Sequence, residues 1–186
     1  MSPPAIESKK AEKEAILEAA KLMLVAARTA PKTGGMDDVL TSIVYGKEKD
    51  AIADKMDEIA EDRKMRRFRR DAKNVRDSEA VILIGVIGTK NAGLDCSSCG
   101  HKDCKEFEKT KKKWGNDFCG PTCIFKALDL GIALGSTAKI AGLLNVDNRI
   151  MYRIGAAASK LKMLPRSSIV MGIPLSARGK NIYFDR

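Results

Sequence analysis

Aromatic residues make up only 5% of the sequence, with a single tryptophan and a single histidine, His101. So small a supply of large rings argues against a β-sandwich packed on them. With one histidine, no Ser-His-Asp or Cys-His nucleophilic site is available unless it is built on His101. No apolar run approaches the ~18 to 20 residues that a membrane helix requires; the longest, Ala80 to Gly88, is nine residues. The start of the chain, Met1-Ser2-Pro3-Pro4 followed by Glu7, Lys9 and Lys10, lacks the apolar stretch of a secretory signal, which predicts a cytoplasmic protein without membrane contact. Cysteine is absent outside Cys96 to Cys123, where all five are gathered. In a reducing compartment that clustering points away from a disulfide framework, which staples distant parts of a chain, and towards metal or redox chemistry.

What remains is ample for a folded protein. The 186 residues are 44% apolar and 31% charged, which excludes a disordered or collagen-like chain. A chain of this length buries roughly 70% of its unfolded surface and needs no metal merely to fold. The expectation is one domain spanning 1–186 with a cysteine-rich segment at 95–123 inside it. There are 34 basic and 24 acidic residues, a net charge of +10.

Ser8 to Arg28 is rich in Ala, Glu, Lys and Leu, with Ile16, Ala19, Ala20, Met23 and Ala27 at helical spacing. Pro31 and Gly34-Gly35 break this helix and leave a loop over 28–35. Thr41 to Tyr45 reads as a short strand, and Ile52, Met56, Ile59 and Ala60 mark a second helix. Glu61 to Arg76 holds eight basic residues against three acids, half the net charge. Ala80 to Gly88 shows no alternation, as expected of a strand in the middle of a sheet and covered on both faces.

A Gly/Ala-rich helix is predicted from Thr122 to Leu144, in which Ala127, Gly131, Gly135, Ala138 and Gly142 keep one side small for the close approach of a helix or flat cofactor. Asp147 is a candidate cap for a helix carrying Ile150, Met151, Ile154, Ala157, Ala158 and Leu161. Ser168 to Leu175 reads as a second buried strand and Tyr183-Phe184 as a small third.

The cysteines are spaced Cys96-x2-Cys99-x4-Cys104-x14-Cys119-x3-Cys123. Three close thiolates and a distant fourth can surround a 4Fe-4S cubane, each facing a different iron, and the small residues Ser97, Ser98 and Gly100 allow the tight turns this needs. Zinc is the alternative metal, although structural zinc sites more often show two separate Cys-x2-Cys knuckles and only one is present. Cys119 and Cys123 are not ranked by spacing. Cys123 is favoured as the fourth ligand because the first turn of the following helix brings positive dipole density to a thiolate, with Cys119 as the alternative. His101, inside the loop, is read as an exposed side chain.

The run Asp95-Cys96-Ser97-Ser98-Cys99-Gly100 to Cys104, with Gly120-Pro121-Thr122-Cys123, Leu128 to Ser136, Asp147-Asn148-Arg149 and the ending Gly172 to Ser176 and Gly179 to Arg186, resembles the uncharacterised ferredoxin-domain-containing proteins of anaerobic bacteria and archaea. Their Gly-Pro-x-Cys element matches Cys123, with Cys119 an addition to the pattern. The cysteine segment is similar to a small 4Fe-4S module in which an aromatic residue, here Phe107, closely follows the third cysteine.

The order of elements also looks like the flavin-dependent nitroreductase fold. That likeness implies an α/β (α+β) three-layer arrangement of helices around a small sheet, a homodimer whose subunits share their site, and FMN. Arg28, Lys32, Arg178 and Lys180 are then the cationic candidates for the flavin phosphate.

Two function classes follow. One is an iron-sulfur redox protein that passes single electrons, with Lys102, Lys105, Lys109, Lys111, Lys112 and Lys113 steering an acidic carrier such as ferredoxin or flavodoxin, and with possible coupling to a flavin-dependent activity. The other is a zinc-stabilised basic module binding nucleic acid through the Arg63 to Arg76 run, with Phe68 inside it. Charge runs are usually solvated helix faces, which weighs against nucleic acid. A cluster serving as a structural clamp or sensor needs the same ligands. No catalytic residue is assigned.

Overall fold

The computed structural model describes residues 5–184. Met1 to Pro4 and Asp185-Arg186, which belong to the terminal stretches quoted above, lie outside the described residues. Helix α1 (Ser8–Thr29) leads through a 3-10 turn to strand β1 (Val39–Tyr45), then α2 (Gly46–Asp62), α3 (Arg66–Arg76) and β2 (Ala80–Val86). The cysteine-bearing excursion holds α4 (Cys104–Lys109), β3 (Lys113–Trp114) and β4 (Cys119–Gly120). The chain closes with α5 (Ile124–Leu143), β5 (Asp147–Asn148), α6 (Tyr152–Lys160) and β6 (Ile169–Ser176).

The main sheet has the order β1-β2-β6-β5 and every pairing in it is antiparallel. All seven residues of β2 are buried, and their side chains divide by alternation. Val81 and Leu83 join a core shared with Ile52, Met56, Phe68 and Ile154 on α2, α3 and α6. Ala80, Ile82, Ile84 and Val86 join a second core with Ile16, Met23, Leu130 and Ala133 on α1 and α5. Helices therefore cover both faces, and the unbroken apolar run of β2 is the consequence. This is the α/β three-layer arrangement expected from the sequence.

Three local expectations are corrected. Asp147 caps no helix: it pairs as a strand residue with Ser176, and its carboxylate accepts from Asn181 Nδ2 at 2.9 Å, while α6 begins only after Met151. Tyr183-Phe184 forms no strand; Tyr183 is instead anchored in the core with its hydroxyl 2.8 Å from Ser78 Oγ. The small stripe of α5 faces outward, since a Cβ added at Gly131, Gly135 or Gly142 would meet nothing within 4 Å. Close approach through glycine occurs elsewhere, where α6 crosses β6 and a Cβ on Gly155 would lie 1.7 Å from the Val170 carbonyl oxygen. Among the described residues no helix is long and apolar enough to cross a membrane.

Candidate metal centre

The excursion between β2 and α5 is closed at its base. Cys123 N donates to Gly88 O at 2.8 Å, Gly88 N donates to Ser168 Oγ at 2.7 Å, and Cys119 N donates to Ser168 O at 2.9 Å. Within it Asp95, Ser97 and Gly100 take the left-handed region with φ of 46°, 58° and 83°, so the chain reverses repeatedly and brings Cys96, Cys99 and Cys104 onto one tight loop. Glycine and small polar residues tolerate this conformation. Asp95 Oδ1 accepts from Cys104 N at 2.8 Å, and Asp103 caps α4 by accepting from Glu106 N at 2.8 Å, which sets Cys104 as the first residue of that helix.

Cys99 and Cys123 share a small apolar cluster with Ala92, Phe107, Met36 and Phe125. Cys123 is buried, Cys99 and Cys104 are half-buried and Cys96 is exposed. Cys123 is the residue preceding α5, with φ −64° and ψ 129°, rather than a member of its first turn. It still stands at the helix start, where the amide dipoles favour a thiolate. Cys119 lies apart on β4, cross-strand from Trp114 and outside the apolar cluster.

The donor set is thus three thiols from one loop and a fourth at the adjoining helix start, which suits a four-thiolate cluster in kind and in order along the chain. Among the described residues no three His, Cys, Asp or Glu side chains come together as one metal ion requires. A zinc ion needs its four ligands about 2.0–2.3 Å from a single point. A cubane presents a different iron to each thiolate, so its sulfurs need not converge on one.

His101 is half-buried rather than exposed. Its ring meets Phe107 edge-on at 5.6 Å between centroids, and Nδ1 lies 3.4 Å from Thr110 Oγ1. Lys112 Nζ stands 3.5 Å above the Phe107 ring centre and bonds the Phe107 carbonyl. Lys102, Lys105, Lys109, Lys111 and Lys113 are exposed around the same loop.

A charged group that sequence reading missed lies behind this loop. Lys126, one turn into α5, is fully buried, with Nζ 2.8 Å from Asp38 Oδ2 and 3.9 Å from Asp129 Oδ2. Asp38 also pairs with Lys90 at 3.0 Å, and Asp129 accepts from both the amide and the hydroxyl of Thr33 at 2.8 Å. Burial pushes the Asp38 carboxyl up, but the hydrogen bonds and charges of Lys126 and Lys90 outweigh it and hold the group below the ordinary carboxylate value. One signal was available: Lys126 and Asp129 fall on the same helical stripe as the buried Leu130 and Ala133, and a charge on an inward stripe needs a partner.

The four cations proposed for a flavin phosphate do not form one site. Arg28 and Lys32 both engage Asp37 at the end of α1, where Arg28 also donates to Val39 O at 3.1 Å and Lys32 caps the helix by donating to Ala30 O at 2.8 Å. Arg178 donates instead to Asp77 O at 2.7 Å and to Glu79 at 3.2 Å, with Lys180 two residues on. Val39 and Glu79 lie at opposite ends of the β1–β2 ladder, which runs from Val39↔Val86 to Tyr45↔Ala80. At about 3.3 Å per residue that is roughly 20 Å of strand.

The basic run is largely neutralised as well. Arg63 pairs with Asp117, Arg69 with Glu61, Arg70 with Asp71, Lys73 with Asp77, and Arg76 with Asp54 and Asp57. Phe68, the aromatic inside the run, is fully buried in the core and offers no ring at the surface.

The fold resembles solved nitroreductases of low sequence identity. The nitroreductase CinD of Lactococcus lactis, solved with nicotinic acid, superposes with a TM-score of 0.57 at 14% identity over 97% of this chain and 86% of its own. A nitroreductase of Desulfitobacterium hafniense with bound FMN gives a TM-score of 0.53 at 14% identity over 88% and 78%. At that identity the likeness concerns the fold. An uncharacterized protein of Archaeoglobus fulgidus is 48% identical over 181 residues, covering 97% of each chain. Residues 119–186, which include Cys119, Cys123, α5 and β6, match the family described as uncharacterized protein containing a ferredoxin domain (DUF2148). Near full-length identity to the archaeal relative, together with this match across the last two cysteines, shows that the chain belongs to that ferredoxin-domain family, built on a nitroreductase-type fold.

Proposed function

We propose that this chain is an iron-sulfur redox protein that binds a 4Fe-4S cluster through Cys96, Cys99, Cys104 and Cys123 and exchanges single electrons with a protein carrier. The observation that carries the reading is that Cys99 and Cys123 belong to one small apolar cluster with Phe107 and Ala92, which brings a loop cysteine to the helix-start cysteine and leaves Cys119 aside. When bound, such a cluster supplies reversible one-electron transfer. Phe107 and Ala92 exclude water on the Cys123 side, the left-handed turns at Asp95, Ser97 and Gly100 hold the loop, and Asp95 fixes the backbone of Cys104. The exposed lysines of 102–113 favour the more negative, reduced state and attract an acidic carrier of the ferredoxin or flavodoxin kind.

A second copy of the chain is the proposed cover for the outward face of α1 and α5, where Leu22, Val25, Leu128, Ile132 and Leu143 are 45–69% exposed. A flavin in the same assembly is the natural second redox centre on this fold. No phosphate site is assigned to it: within one chain Arg28 and Lys32 sit by one end of the β1–β2 ladder and Arg178 by the other.

Anaerobic purification followed by iron, sulfide and zinc analysis tests the reading. About four irons and four sulfides per chain, with visible absorbance that bleaches on reduction, are expected. One zinc in a colourless preparation never exposed to air overturns it.

A further inference from the structure

Between the β3–β4 ribbon and the end of α6 lies a cavity of about 510 Å³ that opens to solvent, within the range of small-ligand sites. Its walls combine one apolar surface with several unpaired donors. Trp114, Leu164 and Pro165 supply the apolar part, and the indole of Trp114 is 59% exposed. Lys160, Lys162 and Asn116 supply the polar part. Among the described residues neither ammonium has an ion-pair partner, and neither the indole N–H nor the Asn116 carboxamide has a hydrogen-bond partner. Ser159 and Ser167 complete the lining, but their hydroxyls are buried away from the cavity surface, that of Ser167 against Gly85 of β2.

The one acid of the lining, Asp117, is already neutralised: it accepts from Arg63 Nη1 at 2.7 Å and from the Tyr152 hydroxyl. The charge offered to a ligand is therefore positive. Trp114 faces Cys119 across the ribbon, and cross-strand partners have Cβ atoms about 4.5–5.5 Å apart, so the cavity adjoins the cysteine segment without containing any of its four proposed ligands.

We infer that this cavity binds a small planar organic anion, its ring laid on the Trp114 indole and its carboxylate or phosphate held by Lys160 and Lys162. An exposed indole face contributes area and stacking at little conformational cost. Two ammonium groups, Lys160 in the last position of α6 and Lys162 just beyond it where the chain turns with φ 54°, can meet either kind of anion as point charges. Asn116 adds an amide donor or acceptor at the rim. The site is independent of the cluster reading, since none of these groups touches Cys96, Cys99, Cys104 or Cys123.

The test uses the protein as purified, with 2-naphthoate, 2-naphthyl phosphate and neutral 2-naphthamide as probes. Binding is followed by calorimetry and by the emission of Trp114, which is the only tryptophan in the chain. Both anions are expected to bind saturably, and the tighter of the two identifies the preferred head group. The double variant Lys160→Gln/Lys162→Gln should weaken the anions at least tenfold and leave naphthamide unchanged. Trp114→Ala should weaken all three, whereas Lys9→Gln, an exposed charge at the start of α1, should weaken none. Absence of saturable binding by either anion, equal binding of the neutral amide, or loss of binding in the Lys9 variant overturns the inference. Iron and sulfide content, measured on the same samples, reports separately on the cluster.

Discussion

The ammonium of Lys126 and the carboxylate of Asp38 meet at 2.8 Å with both side chains buried, 0% and 8% exposed. This pair ties the start of α5, and with it Cys123, to the approach of β1. A buried pair is costly to break from one side, because the surviving charge stays desolvated. Lys126→Met should lower unfolding free energy in urea by about 3–5 kcal/mol, and Lys126→Met combined with Asp38→Leu should recover much of that loss. The Asp38 carboxyl is held below its ordinary value, so its contribution is present above the unfolded pKa and disappears as pH falls through the folded one. The stability gap between Lys126→Met and the parent should accordingly narrow as pH falls through the titration of Asp38, because protonation relieves the unpaired carboxylate of the variant and strands the ammonium of the parent.

The two late cysteines are separable. Cys123→Ser should lose most of the bound iron and sulfide, whereas Cys119→Ser should retain both within about a fifth of the parent value, in keeping with four thiolates per cubane. Retention by the first and loss by the second would move the fourth ligand to Cys119. Chemical iron and sulfide analysis of anaerobic preparations decides.

Two glycine substitutions should act with opposite sign. At Gly155 an added methyl meets the Val170 backbone oxygen, which cannot yield without separating α6 from β6; Gly155→Ala should destabilise by about 3 kcal/mol or more. At Gly131 the methyl enters open space within one chain on a regular helix, and Gly131→Ala should stabilise the monomer by about 0.5–1 kcal/mol. Thermal melts of the two variants read both effects.

Tyr183 carries an alkaline limit. Burial, the largest influence, pushes its phenol up to about 12, against 10 in an ordinary environment, while the Ser176 and Ser78 hydroxyls partly offset this. A group with a raised folded pKa stabilises fully below its unfolded pKa and loses that contribution as pH rises through the folded one. Stability should fall between pH 10 and 12, by about 2–3 kcal/mol at most for a shift of this size. Tyr183→Phe should flatten that limb and cost about 1 kcal/mol at neutral pH through the lost Ser78 bond.

Much of this architecture was legible in the residues. The continuous apolar run of β2 announced a strand covered on both faces, and the helical spacing of Ile16, Ala20, Met23 and Ala27 announced α1. The misses have local causes. Asp147 carries the chemistry of a cap, but strand pairing with Ser176 took precedence over local propensity. The small residues of α5 recur at helical spacing, yet periodicity alone does not say which face turns inward. Phe68 looked like an aromatic among arginines because the run was read as charge, whereas position 68 falls on the inward stripe with Ala72 and Val75. The pairing of Lys126 with Asp38 joins residues far apart in sequence, a contact that only the fold creates.

The hydrogen bonds from Cys123 N to Gly88 O, from Gly88 N to Ser168 Oγ and from Cys119 N to Ser168 O close the long excursion at its neck. The two ends of the excursion are therefore fixed side by side by the sheet and by α5, whatever occupies the loop. Loop-closure entropy grows only slowly with length, so the scaffold can tolerate wide variation in what hangs from that neck. Apart from that neck, the cysteine segment is held to the host through Lys90 to Asp38, Asp117 to Arg63 and Tyr152, and Phe118 against the core, so shortening it only between Ala92 and Asn116 should leave a folded host.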